Sequence, residues 1–133
     1  MIIIIGILAG IAIPRFIRTA ERARGEEAVT NLRLIFAGER MYRLDNNIYS
    51  LNLRDGQQTG DPDDPDDGGL FPDYIEDPTT PAREKYFTFT LWRSGDYQSF
   101  TATAERNSGI YGGRTIIIDK FEEWSGDWEW LPR

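Results

Sequence analysis

Residues 2 to 13 read IIIIGILAGIAI, an apolar run interrupted only by the small residues Gly6, Ala9, Gly10 and Ala12, and Pro14 closes it. An arginine-rich amphipathic stretch follows and lasts until Asp45-Asn46-Asn47. Asparagine tolerates the left-handed backbone that ends a helix. The spacing therefore predicts a long N-terminal helix over 1–49, apolar in 1–17 and amphipathic in 18–47. At about 1.5 Å per residue it would reach roughly 65 Å. The remaining chain is too small to cover such a length. A helix of this kind needs partners outside its own chain.

Pro14 cannot donate an N–H, and its ring crowds the carbonyl of Gly10. Gly6 to Pro14 is accordingly expected to be a weak section, able to kink or stretch. The same small residues permit close approach between packed apolar helices. Twelve apolar residues fall short of the roughly 18–20 that span a bilayer. No basic segment precedes them, so they do not read as a signal peptide. Two readings stay open: a buried or interfacial helix, or a membrane span that begins before Met1.

Beyond Pro14 the helix carries two apolar stripes. At about 100° per residue, Ala28, Leu32, Ile35, Phe36 and Tyr42 share one side, with Val29 at its edge. Leu34, Ala37, Met41, Leu44 and Ile48 fall nearly opposite. Glu39 and Arg43 intrude on the first stripe. A helix lying on one domain needs a single stripe, so the second is expected to face other subunits. The alternative is a central helix buried on both sides by its own domain.

Residues 50–85 read as a connecting loop, with QQTG and DPDDPDDGG as turn chemistry. Strand patterns occupy 86–133. Tyr86–Trp92 alternates, with Phe87, Phe89 and Leu91 on one face. Tyr97–Glu105 alternates with Phe100, Ala102 and Ala104 inward, and Arg114–Asp119 is a third strand. The fold class is α+β, a long helix packed on a small antiparallel sheet. The tail holds three of the four tryptophans, Trp124, Trp128 and Trp130, as cover for a sheet edge or as an adhesive or subunit-contact patch.

The chain has no histidine and no cysteine. Disulfides, thiol nucleophiles, the usual triads and most zinc sites are thereby removed. No phosphate loop or nucleotide fingerprint is present, and an enzyme is not expected. Net charge is −7, unevenly spread: seven arginines face five acids over 14–45, and eight bases face seventeen acids from Asn46 onward. An acidic surface of that kind disfavours nucleic acid. The mildly basic segment after the apolar run fits a juxtamembrane position. The one site-like cluster is Asp61, Asp63, Asp64, Asp66 and Asp67. It reads as a solvated acidic turn or as a Ca²⁺ loop, although an EF-hand register from Asp63 places Pro65 and Tyr74 at ligand positions.

The segment from Gly6 to Phe16, GILAGIAIPRF, with the Ala/Arg/Glu helix and the closing Asn46-Asn47-Ile48-Tyr49, resembles the N-terminal half of the type IV pilin and pseudopilin family. Residue-by-residue similarity covers about the first 50 positions, and the rest agrees only in architecture. The family pattern begins further upstream, with a leader and a docking glutamate, so the natural protein is expected to extend beyond Met1. The resemblance implies a homopolymeric filament subunit, processed by a prepilin peptidase, methylated, and assembled by the pilus assembly machinery. It would sit in the inner membrane before assembly and at the cell surface afterwards, serving attachment, motility or DNA uptake. It implies filament-core packing by Ile3, Ile5, Gly6, Leu8, Ala9, Gly10, Ile13, Pro14, Phe16 and Ile17. Leu34, Met41 and Leu44 are the expected subunit contacts. The alternatives are a major pseudopilin of type II secretion and a non-polymerising, membrane-anchored calcium-binding domain. Asp77-Pro78 continues as Thr-Thr, so the Asp-Pro-Trp-Gly-type segment common in major pseudopilins is missing.

Overall fold

Helix α1 (Ile2–Asn46) runs unbroken through Pro14. Phe16 and Ile17 thus continue the apolar surface past Pro14, in keeping with an apolar part over 1–17. In the computed structural model, residues 2–54, 69–71, 73–76 and 86–133 are described. The helix stops where the asparagines stand. Asn47 takes φ 61° and its N–H still reaches the Arg43 carbonyl at 2.8 Å. The Asn46 side chain also donates to the Tyr42 carbonyl at 3.0 Å, tying down the last turn.

Four antiparallel strands form the main sheet in the order β3-β4-β5-β6: β3 (Phe87–Arg93), β4 (Phe100–Arg106), β5 (Thr115–Asp119) and β6 (Trp124–Ser125). The first three match the expected meander within a few residues, and the last is an added edge in the tryptophan tail. Register places Phe89 opposite Ala104, and Ala104 opposite Ile116. One row over, Leu91 faces Ala102 and Ala102 faces Ile118. Ala102 and Ala104 are fully buried. Small side chains in the middle strand let α1 lie close across β4 and β5, with Leu32 and Ile35 fully buried between.

The connecting segment is not wholly loop. Asn52–Arg54 (β1) and Gly69–Phe71 (β2) pair in parallel as a separate two-stranded sheet. Each strand is three residues long, too short to show a period, and burial of Leu53 and Leu70 holds the pair in place. Ile75 then rests on the helix at Gly38, where an added Cβ would come 2.5 Å from the Ile75 Cγ2. At the other end of the domain Trp128 packs on Gly25, whose Cβ would meet the indole Nε1 at 2.4 Å. Trp128 also meets Phe87, Tyr111 and Trp130 at ring-centroid distances of 5.3–5.6 Å. The tail is therefore part of the core as well as edge cover.

Candidate assembly surface

The packed domain covers α1 only from about Glu21 onward. Every described side chain from Ile3 to Thr19 is exposed, including Ile3 at 78%, Phe16 at 74% and Ile17 at 43%. Ile5, Leu8 and Ile13 are likewise open, with Ala9 and Pro14 among them, and nothing lies within 4 Å of a Cβ placed on Gly6 or Gly10. All ten residues named for filament-core packing thus lie on one bare apolar rod. Surface of this extent is not stable in water and marks a membrane or protein contact. By length and composition α1 qualifies as a membrane span.

Further along α1 the two stripes separate. Ala28, Val29, Leu32, Ile35, Phe36 and Tyr42 are buried against the sheet. On the other side Ala37 is exposed, Met41 is 53% exposed and Leu44 82% exposed. Leu34 departs from the expected pattern and is half-buried. It packs at the edge of the core cluster, one turn before Gly38, on which Ile75 is seated. Ile48, past the helix end, is half-buried too.

Two carboxyl side chains of α1 are buried against the rest of the chain. Glu21 accepts from Arg106 at both oxygens, Nε to Oε2 and Nη2 to Oε1, each at 3.0 Å, and Arg24 closes on Glu21 from the next turn. Arg106, followed by Arg24, keeps the Glu21 carboxyl below its ordinary range despite burial. Glu39 is the intruder on the buried stripe and is fully enclosed. Its Oε2 accepts the Ser50 N–H at 2.9 Å, while Oε1 has no partner among the described residues. Burial pushes its carboxyl up to about 8, against the opposing pull of the Ser50 N–H and Arg93. Arg93 stands in the same junction, donating to the Tyr49 carbonyl at 3.1 Å with its guanidinium 4.3 Å from the Tyr97 ring centre. Neither charged residue was singled out for function from sequence, although Glu39 inside an apolar stripe was a legible signal.

A cleft of about 680 Å³ runs between α1 and the tail, walled by Arg22, Glu26, Arg33, Trp124, Trp130 and Arg133 among others. Among the described residues no group of three or more Asp and Glu gathers where it could hold a metal ion. Asp61, Asp63, Asp64, Asp66 and Asp67 lie outside the described residues. No family model matches the chain, no curated protein matches it, and no solved structure matches its fold.

Proposed function

We propose that this protein is the structural subunit of a type IV pilus-like filament, anchored in the membrane by the apolar part of α1 and polymerising through it. The observation that carries the reading is the bare rod from Ile3 to Ile17 joined without a break to a helix whose far half is packed in a domain. Such a subunit hides its greasy end in lipid when alone and among neighbouring helices when assembled. The exposed strip of Ala37, Met41 and Leu44 adds a second contact further along the same helix. The sequence resemblance over the first 50 residues supplies the filament class. The role is structural and involves no catalysis.

Electron microscopy of surface material from cells expressing the full-length protein tests the reading. Long, thin filaments labelled along their length by an antibody to the sheet domain are expected. A protein found only in the membrane fraction as a monomer overturns polymerisation and leaves an anchored domain. Filaments that appear only when a secretion system is overproduced point to the pseudopilin alternative.

A further inference from the structure

Where the apolar rod ends, the helix carries Arg15, Arg18 and Arg22, and the chain's C-terminal tail comes down beside them. Glu129 anchors it, accepting a hydrogen bond from Arg18 Nη2 at 2.8 Å. The result is a second cleft, about 530 Å³, lined by Arg15, Arg18, Thr19, Arg22 and Trp130. Among the described residues no carboxylate lines it, and the nearest partner carboxylate, Glu129, is engaged by Arg18. That is unusual on a chain of net charge −7 whose C-terminal region is more acidic still.

The lining has the chemistry of an anion site. Arg15 and Arg22 lie two turns apart on one helix face, about 10 Å in rise. Among the described residues neither has an ion-pair or hydrogen-bond partner. Arg18 gives one nitrogen to Glu129 and also stands beside the Tyr111 hydroxyl, and its five-donor guanidinium has further N–H groups to offer. The Trp130 ring is held by Tyr111 and Trp128, and among the described residues no hydrogen bond uses its indole N–H. The Thr19 hydroxyl spends its proton on the Arg15 carbonyl at 3.0 Å. Guanidinium groups grip phosphate oxygens with paired, planar N–H bonds.

Position decides which phosphate. With the apolar rod in a bilayer core, Arg15 snorkels outward from its last turn, and Arg18, Arg22 and Trp130 stand with its guanidinium at the headgroup level. Arginines there attract anionic lipid, and tryptophan favours that boundary. We propose that the cleft of Arg15, Arg18, Arg22 and Trp130 binds the phosphate headgroup of an anionic phospholipid while the subunit is in the membrane. The tail then seats the acidic domain upright on the lipid surface through the site. This rests on the membrane-anchored state proposed above, but not on polymerisation.

The test reconstitutes the full chain into phosphatidylcholine vesicles with a trace of spin-labelled phosphatidylglycerol or spin-labelled phosphatidylcholine. The readout is the motionally restricted fraction of each label. Selectivity for phosphatidylglycerol is expected, falling about fivefold for each of Arg15→Gln and Arg22→Gln. Arg40→Gln makes the same charge change far from the bilayer and should leave selectivity intact. Restriction of both labels equally, in all variants, overturns the headgroup site while leaving the membrane anchor standing. Restriction of neither label, with failure to float with vesicles, overturns the anchor and the site together. Inorganic phosphate that abolishes selectivity, where chloride of equal ionic strength does not, reassigns the cleft to a soluble phosphate. If the arginine variants change self-association in detergent and not lipid selectivity, the cleft serves a second copy of the chain, and the lipid proposal fails.

Discussion

The Arg106 guanidinium and the Glu21 carboxylate meet edge to edge, with both hydrogen bonds at 3.0 Å and both side chains nearly closed to solvent. Arg106 sits at the end of β4 and also donates to the Tyr86 carbonyl at 3.1 Å. The pair therefore fastens the sheet to the helix at the level where the bare rod begins. Glu21→Ala strands a buried guanidinium and should cost about 3 kcal/mol in the unfolding free energy. Because Arg106 holds the Glu21 carboxyl down, its contribution is present above the ordinary glutamate range and is lost as pH falls through the lowered value. Denaturant melts of wild type and Glu21→Ala should converge under strongly acidic conditions. Equal destabilisation at every pH would remove the charge from the account.

Glu39 has the opposite sign. Its folded carboxyl titrates near 8 against 4.5 for an ordinary glutamate, so the folded state holds the proton more tightly. Stability contributed by this group is complete below about 4.5 and declines as pH rises toward 8. Glu39→Gln preserves an acceptor for the Ser50 N–H without the buried charge. Its melting temperature should exceed that of wild type at neutral and alkaline pH and approach it near pH 4. A variant less stable than wild type at pH 8 would mean that the Arg93 attraction outweighs desolvation.

Gly25 is a contact position. An alanine Cβ would lie 2.4 Å from the Trp128 Nε1, closer than atoms pack, so the indole must move. Gly25→Ala should cost about 1–3 kcal/mol and change the near-ultraviolet circular dichroism of the Trp128 cluster. A double variant, Gly25→Ala with Trp128→Phe, should recover part of the loss, because the smaller ring leaves room. No recovery would place the strain elsewhere in the cluster.

The long helix, its stop at the asparagines and the three main strands were all legible, because each spans enough residues to show its period or cap. Alternation in Phe87-Thr88-Phe89-Thr90 fixed a strand's inward face without any knowledge of its neighbours. What was not legible depended on contacts distant in sequence. The pairing of Asn52–Arg54 with Gly69–Phe71 joins residues 17 positions apart, and neither three-residue segment carries a period that would announce it. The seat of Ile75 on Gly38, 37 positions away, is likewise a contact that helical spacing cannot register. The Arg15–Arg22 cleft is completed by the C-terminal tail, whose Glu129 meets Arg18 and whose Trp130 lines it. Sequence marked the segment as basic and juxtamembrane, but not the wall that Trp130 adds.

The division of α1 into two faces can be tested by treating both with the same chemistry. Leu32 and Ile35 are fully buried under β4 and β5, so Leu32→Ala or Ile35→Ala should cost about 2–5 kcal/mol of domain stability. Met41 and Leu44 are 53% and 82% exposed, and their loss removes little from the domain. Met41→Asp and Leu44→Asp should leave the unfolding free energy within about 0.5 kcal/mol of wild type. In a filament each would bury an unpaired carboxylate at every repeated contact, so assembly should fail. Leu34, half-buried, should fall between, with Leu34→Asp weakening both fold and assembly. The measurements are denaturant melts of the detergent-solubilised chain and filament counts by electron microscopy. Folded Met41→Asp and Leu44→Asp proteins that still form normal filaments would remove this strip from the subunit contact and confine assembly to the apolar rod.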